Sequence, residues 1–306
     1  MSKTNTVVIY HKSDFDGIFC REIARKFLPD AELIGWEYGE PTPAVPPEAA
    51  LYIMDLSVPD LMKHPGLVWI DHHKTAIEKY PATIPGYRID GVAACRLAWQ
   101  WFYIAMLNAQ NATNEQLQLD LPEKEMFVNR ILPEPLAVRL AGEYDIWDKR
   151  DPNADLFQHG LRSQNLGENM WDLMLVNSDL SEPGREDIGT ITVHALLDAG
   201  EAVAYAEKRK NELIIGNNGF TRQWEGLWFL CCNAGSYNSH LFTAGIKPEH
   251  DGLLGFCLRK DGQWSVSLYG VPGKPDVDLS AIASKYGGGG HKQACGFKCA
   301  KLPFLS

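Results

Sequence analysis

The sequence predicts an α/β protein, with a mostly parallel sheet flanked by helices and a smaller α+β domain after it. Three observations support this fold class. Short apolar runs alternate with helical segments in the N-terminal half, which is typical of parallel sheets with crossover helices. Three of these runs stop at acidic or imidazole side chains. After Phe220 the pattern changes to short strands separated by turns.

The N-terminal elements follow one another at the spacing of βαβ units. The run Thr6-Val7-Val8-Ile9-Tyr10 is apolar and β-branched, so it predicts a buried strand, and residues 18–28 have helical spacing. Four prolines mark residues 41–47 as a loop. The predicted order is strand 6–10, helix 18–28, strand 32–38, strand 50–54, helix 58–64, strand 66–70, and helices 91–107, 121–131 and 133–142.

The C-terminal half has a different organisation. Residues 178–189 are rich in Ser, Asp, Pro, Gly and Glu, which predicts a linker, and a long helix is predicted over 191–215. Strands are predicted over 221–224, 227–232, 252–258 and 263–269, and Asp261-Gly262 predicts a hairpin turn between the last two. We therefore expect a first domain over residues 1–183, a linker helix over 184–215 and a second domain over 216–306.

The composition limits the class of protein and of partner. The chain has 306 residues, of which 45% are hydrophobic and 22% charged, as is typical of a globular protein with two domains. Its net charge of −10 leaves no excess of Lys and Arg for binding long nucleic acid. A phosphate-bearing substrate is therefore expected to be small or short.

Neither a signal sequence nor a membrane span is predicted. The first strand begins near the N-terminus, and no run approaches the ~20 apolar residues that a membrane span needs. The seven cysteines lie mostly in apolar stretches, which predicts reduced, buried thiols. We expect a cytoplasmic protein that has no contact with membranes, with a homodimer as one possible assembly.

Polar, metal-competent side chains follow three predicted strands. The first strand stops at His11, with Asp14 and Asp16 just behind it, and the run 50–54 stops at Asp55. The run 66–70 stops at the tripeptide 71–73, whose sequence is Asp-His-His. Because the carboxyl ends of parallel strands meet at one edge of a sheet, these side chains are expected to converge on a metal site.

A mixture of carboxylates and imidazoles suits Mn²⁺ or another mid-series divalent ion, whereas an all-oxygen set would indicate Mg²⁺ or Ca²⁺. Several aspartates around one point repel one another strongly, so two ions that share a bridging Asp are expected. Such a pair suits phosphoryl hydrolysis by an activated hydroxide. The candidate ligands are His11, Asp14, Asp16, Asp55, His72 and Asp145.

Structural roles are the alternative for each of these residues taken singly. A lone Asp after a strand is usually a helix N-cap, and His11 could simply be a satisfied polar group at a strand end. In the acidic cluster 143–148, Asp148 or the nearby Asp151 could take the place of Asp145, or could pair with a neighbouring cation. The shared pattern of three strand ends favours a metal site.

A run of four glycines, residues 287–290, is the second signal. Four consecutive glycines are entropically costly to order, so they indicate a flexible spacer or a close approach of the backbone to a ligand. His291 and Lys292 follow directly, and exposed amides beside them would form a phosphate-binding nest. The position of the run just before the strand-like segment 294–299 favours the ligand.

These residues together resemble the DHH phosphoesterase superfamily with a C-terminal DHHA1 domain, and are similar to its nanoRNase/pAp-phosphatase-like and exopolyphosphatase-related members. The resemblance spans nearly the whole chain and is carried by His11, Asp14-Phe15-Asp16-Gly17, Asp55, Asp71-His72-His73, Asp145 and the segment from Gly287 to Gly296. It implies a two-domain hydrolase with a central cleft. Two Mn²⁺ ions would act on phosphodiester or phosphoanhydride bonds, with Mg²⁺ or Co²⁺ as possible substitutes.

The resemblance also implies roles for single residues. Asp55 would bridge the two ions, one held with His11 and Asp14 and the other with Asp16, His72 and Asp145. Asp71 and His73 are the implied catalytic pair: Asp71 would orient a histidine, and His73 would contact the scissile phosphate or protonate the leaving oxygen. The other end of the substrate would be bound by Gly288, Gly289, Gly290, His291 and Lys292.

Two departures from the family pattern matter. His11 precedes Asp14 by three residues, where many members have four. Many nanoRNase-like members carry Ser-Leu-Arg-Ser near the glycine run, whereas this chain has Ser-Leu-Tyr-Gly at 267–270. Arg259 or Lys260 is the predicted substitute for the missing arginine in substrate binding. For Tyr269, stacking on a base and packing in the core both remain open.

The expected function is Mn²⁺-dependent hydrolysis of phosphate ester bonds in small nucleotides or very short oligonucleotides by a hydroxide that two metals activate. The partner is therefore a small phosphorylated molecule, namely a nucleotide, a dinucleotide or a short oligonucleotide. The alternatives are an exopolyphosphatase-like phosphoanhydride hydrolase and a nucleotide-binding sensor with low turnover. Because every expected ligand position is filled, the enzyme is favoured over the sensor.

Overall fold

The computed structural model describes residues 6–111, 120–148, 150–176 and 188–305. The chain separates into two compact units, Met1–Val203 and Ala204–Ser306, each with its own sheet. The predicted fold class is confirmed: the first unit is α/β with a parallel sheet, and the second is a smaller α+β unit. Most of the predicted linker at 178–189 lies outside the described residues, so that role stays a prediction.

The first unit contains five parallel strands: β1 (Thr6–His11), β2 (Glu32–Trp36), β3 (Ala50–Met54), β4 (Leu67–Asp71) and β5 (Gly86–Arg88). Their order across the sheet is β2-β1-β3-β4-β5, and every neighbouring pair is parallel. The sequence predicts the first four. It does not predict β5, because three residues are too few to show a periodic pattern.

Both faces of this sheet are buried. Val8 of β1 belongs to one buried apolar cluster, whereas its neighbours Val7 and Ile9 belong to another. Successive side chains of a strand point to opposite faces, so the two clusters cover the two faces of the sheet. This double burial explains why the strand sequences are almost continuously apolar, without the alternation of a half-exposed strand.

The helices that accompany this sheet are α1 (Phe15–Phe27), α2 (Lys74–Lys79), α3 (Ala94–Asn111), α4 (Lys124–Val128), α5 (Leu136–Asp145), α6 (Asn153–Ser163) and α7 (Glu168–Met174), and α8 (Ile188–Asn218) begins in the first unit and ends in the second. The sequence does not predict α2, α6 and α7. The buried face of α6 includes Gln158 and Gly160, which interrupt the apolar pattern. In place of the predicted helix 58–64 there is one 3₁₀ turn, Pro59–Leu61.

Several helix boundaries differ from the prediction, and two of these differences lie near the strand ends or the acidic cluster. Helix α3 begins at Ala94 rather than at Gly91, which has a left-handed backbone with φ of 81°. Helix α5 begins after Pro135 and continues to Asp145, so the predicted end at residue 142 is wrong. The first part of the acidic cluster therefore belongs to α5, whose last residue is Asp145.

Neighbouring strands β1, β3 and β4 lie side by side, so the residues that follow them lie at one edge of the sheet. Strand β2 flanks β1 and ends at the same edge. The parallel register therefore brings four strand ends together, although those ends are far apart in the sequence.

The second unit contains a six-stranded mixed sheet: β6 (Gly219–Trp224), β7 (Leu227–Asn233), β8 (Gly252–Leu258), β9 (Trp264–Gly270), β10 (Gly289–His291) and β11 (Ala294–Cys299). The order is β10-β11-β9-β8-β7-β6, and β7 and β8 are its parallel pair. Helix α9 (Leu279–Lys285) packs on this sheet with the buried cluster around Leu254 and Phe297. The predicted hairpin between β8 and β9 is confirmed, with Gly262 at φ of 79°.

No helix among the described residues is long and apolar enough to cross a membrane.

One glycine controls how closely α1 approaches the end of β1. A Cβ atom on Gly17 would lie 1.9 Å from the carbonyl oxygen of His11, so this contact requires a residue without a side chain. Helix α1 can therefore begin immediately beside the last residue of β1, which brings Asp14 and Asp16 close to His11.

We predict that Gly17→Ala lowers the free energy of unfolding by about 1–3 kcal/mol, because the added methyl group forces α1 away from β1. Gly216→Ala is the matched control: Gly216 lies in α8, and a Cβ added there would have no atom within 4 Å. The control should leave stability unchanged or raise it by up to about 1 kcal/mol through helix propensity. Urea unfolding of both variants checks this; equal effects would contradict the prediction.

Candidate metal centre

The structure brings the six predicted metal ligands together at the carboxyl edge of the parallel sheet. His11 ends β1, Asp55 follows β3 and His72 follows β4. Asp14 and Asp16 lie at the start of α1, and Asp145 ends α5. Their donor atoms fall into groups of three that lie within 4.8 Å of one another, as a shared metal ion would require.

The first group contains His11, Asp14 and Asp55. Nδ1 of His11 lies 2.7 Å from an oxygen of Asp14 and 3.5 Å from Oδ2 of Asp55. Despite these short distances, Nδ1 of His11 and Oδ2 of Asp55 have no hydrogen-bond partner among the described residues. These buried donor atoms therefore fit a cation that would lie among them. The shortened spacing between His11 and Asp14 does not separate the two side chains.

The second group contains Asp16, His72 and Asp145. Nε2 of His72 lies 3.5 Å from Oδ2 of Asp16 and 3.3 Å from Oδ2 of Asp145. The same nitrogen lies 3.4 Å from Oδ1 of Asp55. Asp55 therefore directs one oxygen toward His11 of the first group and the other toward His72 of the second, which is compatible with the predicted bridging role. A third group joins Asp55 and His72 with His73.

Asp55 is held in an unusual backbone conformation. Its φ is 64°, in the left-handed region that non-glycine residues seldom occupy, and the residue is 2% exposed. Such strain persists only where the surrounding structure imposes it, and it is found most often at functional sites. The conformation turns the chain at the end of β3 while the carboxylate stays at the sheet edge.

Backbone amides hold the other carboxylates. Asp14 is the N-cap of α1: its Oδ1 accepts a hydrogen bond from the amide of Gly17, while Oδ2 faces His11. One oxygen of Asp14 therefore has the structural role of an N-cap, whereas the other faces the first group, where metal binding stays a prediction. Asp16 is 2% exposed and accepts hydrogen bonds from the first two amides of α3, those of Ala94 and Cys95.

The concentration of negative charge favours protons on the two imidazoles. The carboxylate of Asp14, followed by that of Asp55, raises the pKa of His11 to about 11. Burial would lower the pKa of His72, but the nearby carboxylates, Asp55 first, overcome it and raise the value to about 10. Two or more cations are therefore favoured at this edge, and divalent ions can replace the protons.

The pKa values of two carboxyl groups, those of Asp16 and Asp145, are also raised. Burial, together with the charge of Asp55, raises the pKa of Asp16 to about 7. Burial, together with the charge of Asp16, raises the pKa of Asp145 to about 7. Both carboxyl groups retain protons well above their usual range because their charges are buried next to other negative charges.

Asp71 lies behind the metal groups and orients His73. It is completely buried, and its Oδ1 accepts hydrogen bonds from the amides of His72 and His73. The same oxygen lies 2.7 Å from Nδ1 of His73, and this contact raises the pKa of His73. Nε2 of His73 is left for other partners, and the side chain is 45% exposed. The histidine that Asp71 orients is therefore His73.

Sequence reasoning misses Glu37. Its Oε2 lies 3.0 Å from Nε2 of His11, on the opposite side of the ring from Asp14. A carboxylate on the second ring nitrogen fixes the orientation of a metal-binding histidine and increases its basicity. Glu37 directly follows β2, so it shows the same strand-end signal as the other ligands. The predicted strand 32–38 hides this signal because it places Glu37 inside the strand.

The remaining acidic residues near Asp145 have structural partners. Asp148 pairs with Arg150, and Asp151 lies 3.0 Å from Arg139. The alternative in which either residue replaces Asp145 at the metal groups is therefore not supported. Trp147, two residues after Asp145, is 68% exposed and has a φ of 56°.

The glycine run belongs to the second unit, where the fold explains three of its four glycines. Gly287 and Gly290 have φ of 76° and 133°. A Cβ on Gly288 would lie 2.0 Å from the carbonyl oxygen of Gly296, so Gly288 has a packing role that the sequence analysis does not anticipate. Gly289 has neither constraint: a Cβ added there would have no atom within 4 Å.

The predicted substrate residues of the second unit are only partly brought together. Residues 289–291 form β10 at the edge of the sheet, and His291 and Lys292 are exposed beside them. Arg259 lies in the turn after β8, close to Asp261. The strand register places Leu253 of β8 level with His291 across the sheet. Arg259 is six residues further along the chain than Leu253, which corresponds to about 20 Å along the strand. The expectation that Arg259 serves the glycine segment is therefore not supported. Tyr269 packs near the ring of Phe242 in the core.

Comparison with known proteins finds similar solved structures at low identity. No family model matches the chain, and no curated protein matches it. The chain is similar to a pGpG-specific phosphodiesterase from Vibrio cholerae, with 12% identity and a TM-score of 0.48 over 97% of this chain and 93% of the other. It is also similar to the DHH domain of a protein described as a member of a family of ribosomal proteins, with 11% identity and a TM-score of 0.49 over 96% and 82%.

An exopolyphosphatase-related protein from Bacteroides fragilis is similar at 12% identity and a TM-score of 0.46, over 98% of this chain and 88% of the other. At these identities and TM-scores, likeness alone does not indicate what this chain binds or hydrolyses. A proposal about what this chain binds or hydrolyses therefore rests on the residues of the chain itself.

We predict that the wild-type chain binds two Mn²⁺ ions and that Asp55→Asn weakens both sites, since Asp55 directs one oxygen toward His11 and the other toward His72. Loss of a charged ligand should lower the affinity at least tenfold, as loss of even an outer partner does. Asp148→Asn is the control, because Asp148 pairs with Arg150 outside the groups. Isothermal titration calorimetry checks this, and wild-type stoichiometry and affinity in Asp55→Asn would contradict it.

We predict that the metal-free chain becomes less stable as the pH rises from about 4 to about 11. Asp16 and Asp145 keep protons up to about pH 7, and His11 and His72 up to about pH 11 and 10, above their unfolded values of 3.8 and 6.5. The folded chain therefore binds more protons than the unfolded chain, so stability falls with rising pH. Stabilisation by Mn²⁺ should increase over the same range, because the ions replace these protons.

Urea unfolding at pH 5.5 and 8.5, with EDTA or with Mn²⁺, checks this prediction. The double variant His11→Asn/His72→Asn isolates the contribution of the imidazoles, since it should lose less stability than the wild type between the two pH values in EDTA. An equal loss in both proteins would show that these histidines do not hold the extra protons.

Proposed function

We propose that the chain is a metal-dependent phosphoesterase of the DHH class that hydrolyses phosphate ester bonds of small nucleotides or very short oligonucleotides. The observation that carries this proposal is the convergence of six imidazole and carboxylate side chains at one edge of the sheet, in two groups between which Asp55 directs one oxygen to His11 and the other to His72. Mixed nitrogen and oxygen donors support Mn²⁺ as the resident ion.

The two groups would hold one ion each. His11 and Asp14 would bind the first, Asp16, His72 and Asp145 the second, and Asp55 both. When bound, such a pair of ions supplies Lewis acidity that lowers the pKa of a water molecule and neutralises charge on the phosphate. Glu37 would keep the ring of His11 in its binding orientation, and the start of α3 would do the same for the carboxylate of Asp16.

His73 is the chain's own group for moving a proton. Its Nδ1 is held by the buried carboxylate of Asp71, which raises its pKa and favours the imidazolium. Nε2 of an imidazolium in this orientation can donate a proton to a leaving oxygen. The backbone amides that also bind Asp71 keep this carboxylate in place while the charge on His73 changes.

Charge around the groups supports a small substrate. The lysines that adjoin the ligands, Lys12 and Lys74, lie close to Glu40 and Glu78. Together with the net charge of −10, these pairs leave little positive surface to follow a long strand of nucleic acid. Short substrates, in which the phosphate itself supplies most of the binding, fit this distribution better.

The glycine segment remains a proposal for substrate binding by the second unit. Gly289 supports it, because neither its backbone conformation nor a neighbouring atom requires a glycine there. A ligand that approaches the backbone closely would explain why this position is a glycine. Exposed His291 and Lys292 would add a donor and a positive charge.

We predict that the purified chain with Mn²⁺ hydrolyses members of a panel of pAp, pApA, short RNA, cyclic dinucleotides, polyphosphate and bis-p-nitrophenyl phosphate, with the small nucleotides as best substrates. His72→Ala should lower the rate by at least about 10²-fold, since it removes a ligand. His64→Ala is a matched control, because the bonds of His64 to described residues are with backbone groups, those of Pro46 and Gly66. Product release measured by chromatography checks the rates.

The same panel separates the alternatives. Rapid hydrolysis of polyphosphate alone would replace the nucleotide substrate by a phosphoanhydride. Tight nucleotide binding without turnover would favour the sensor. The absence of hydrolysis of any ester or anhydride in a chain that has bound Mn²⁺ would refute the phosphoesterase.

A further inference from the structure

We propose that Arg162 binds a second phosphate group of the substrate, one that is not hydrolysed. The inference rests on the proposed function and deepens it, because it makes molecules with at least two phosphate groups the preferred substrates. It depends on where Arg162 lies, on the partners that it has and on the charges around it.

Arg162 contacts two of the segments that deliver metal ligands. It lies one residue before the end of α6, and its guanidinium carbon is 5.9 Å from the ring centre of Phe15 and 5.6 Å from that of Tyr144. Phe15 lies between Asp14 and Asp16, and Tyr144 directly precedes Asp145. A single cation therefore lies against the residues that adjoin three of the ligands.

Arg162 differs from the other arginines that the structure describes in the first unit. Each of those donates hydrogen bonds to a carboxylate or to backbone carbonyls: Arg21, Arg25, Arg88, Arg96, Arg130, Arg139 and Arg150. Arg162 is exposed, and within the described part of the chain its contacts are those with the two rings. No acidic residue in the described ranges therefore neutralises its positive charge.

The ring contacts orient the guanidinium without using its hydrogen-bond donors. Both distances fall within the range of cation–π interactions, in which the ring attracts the charge. All five N–H groups remain for an acceptor, in the planar arrangement that matches two oxygens of a phosphate. Because the two rings limit the rotamers of Arg162, less entropy is lost when a phosphate binds.

The charges at the metal centre explain why a second phosphate needs a cation such as the guanidinium of Arg162. The ions would take the scissile phosphate, and the adjoining Lys12 and Lys74 already face glutamates. A further phosphate, which the ions do not take, needs a cation of its own beside the acidic segments that hold Asp14, Asp16 and Asp145. Arg162 supplies an unpaired cation beside those residues, so the favoured substrates carry a second phosphate, as a phosphorylated dinucleotide does.

The test compares pApA with ApA, which share one internal phosphodiester and differ by the terminal phosphate. In Arg162→Met, which keeps the length of the side chain and removes its charge, the KM for pApA should rise at least about tenfold, as expected for a lost charge-assisted hydrogen bond. The KM for ApA should change at least about fivefold less. Arg162→Lys should restore part of the preference, because it keeps the charge without the planar donors.

Arg150→Met is the matched control, since Arg150 is also an exposed arginine close in sequence to Asp145 but is paired with Asp148. It should keep the wild-type ratio of the two KM values. A purely structural role of Arg162 would lower the melting temperature and affect both substrates alike. Equal changes for pApA and ApA, or no change in either, would overturn the inference.

Calorimetric binding of pApA and ApA separates this inference from the proposed function. If the wild type hydrolyses neither compound, the proposed function fails, yet tighter binding of pApA that is lost in Arg162→Met would still support the role of Arg162. If the wild type hydrolyses both and Arg162→Met keeps the wild-type preference, the inference fails and the phosphoesterase stands.

Discussion

Mutual repulsion of carboxylates at one edge of a parallel sheet is the constraint on which the first unit depends. Asp16 and Asp55 are buried beside Asp14 and Asp145, and such charges are stable only when cations or hydrogen-bond donors compensate them. The structure provides both. Imidazoles lie between the carboxylates, and main-chain amides at the starts of α1 and α3 hold Asp14 and Asp16. Nδ1 of His11 and Oδ2 of Asp55 have no hydrogen-bond partner among the described residues, so these two atoms can bind metal ions.

Buried ion pairs extend this support into the helical layer. Glu143, completely buried two residues before Asp145, accepts hydrogen bonds from Arg130 and Arg139. Arg96 pairs with Glu134, which lies just before the start of α5. The side chain of Arg96 also fills the space that a Cβ atom on Gly142 of α5 would need. Helix α5 is thus fixed by paired charges at both ends. Removing one member of such a pair leaves a buried charge, so these residues affect the position of Asp145 from a distance.

The residues that follow the strands of the site could be predicted from apolar runs, and the acidic cluster indicated Asp145 on α5, but the side-chain contacts that depend on helix packing could not be predicted. Apolar runs that stop at His11, Asp55 and Asp71 are local signals, and the parallel sheet brings them together whatever the rest of the chain does. By contrast, the contact of Arg162 with Phe15 depends on how α6 packs, and the amphipathic pattern of α6 is interrupted. The contact of Glu37 with His11 depends on where β2 ends, and the distance of Arg259 from the glycine segment depends on the register of the second sheet. Apolar patterns determine neither of these.

The left-handed backbone at Asp55 restricts which side chains can occupy this position, apart from any requirement of metal binding. Asp and Asn tolerate this conformation better than most residues, glycine adopts it freely, and alanine or a longer side chain pays a steric penalty. Glutamate has the right charge but lacks the short side chain that favours the left-handed region. An alanine replacement here would combine two lesions, backbone strain and a lost ligand, whereas glycine or asparagine would separate them. Ligand chemistry and chain geometry thus select the same residue at the centre of this protein.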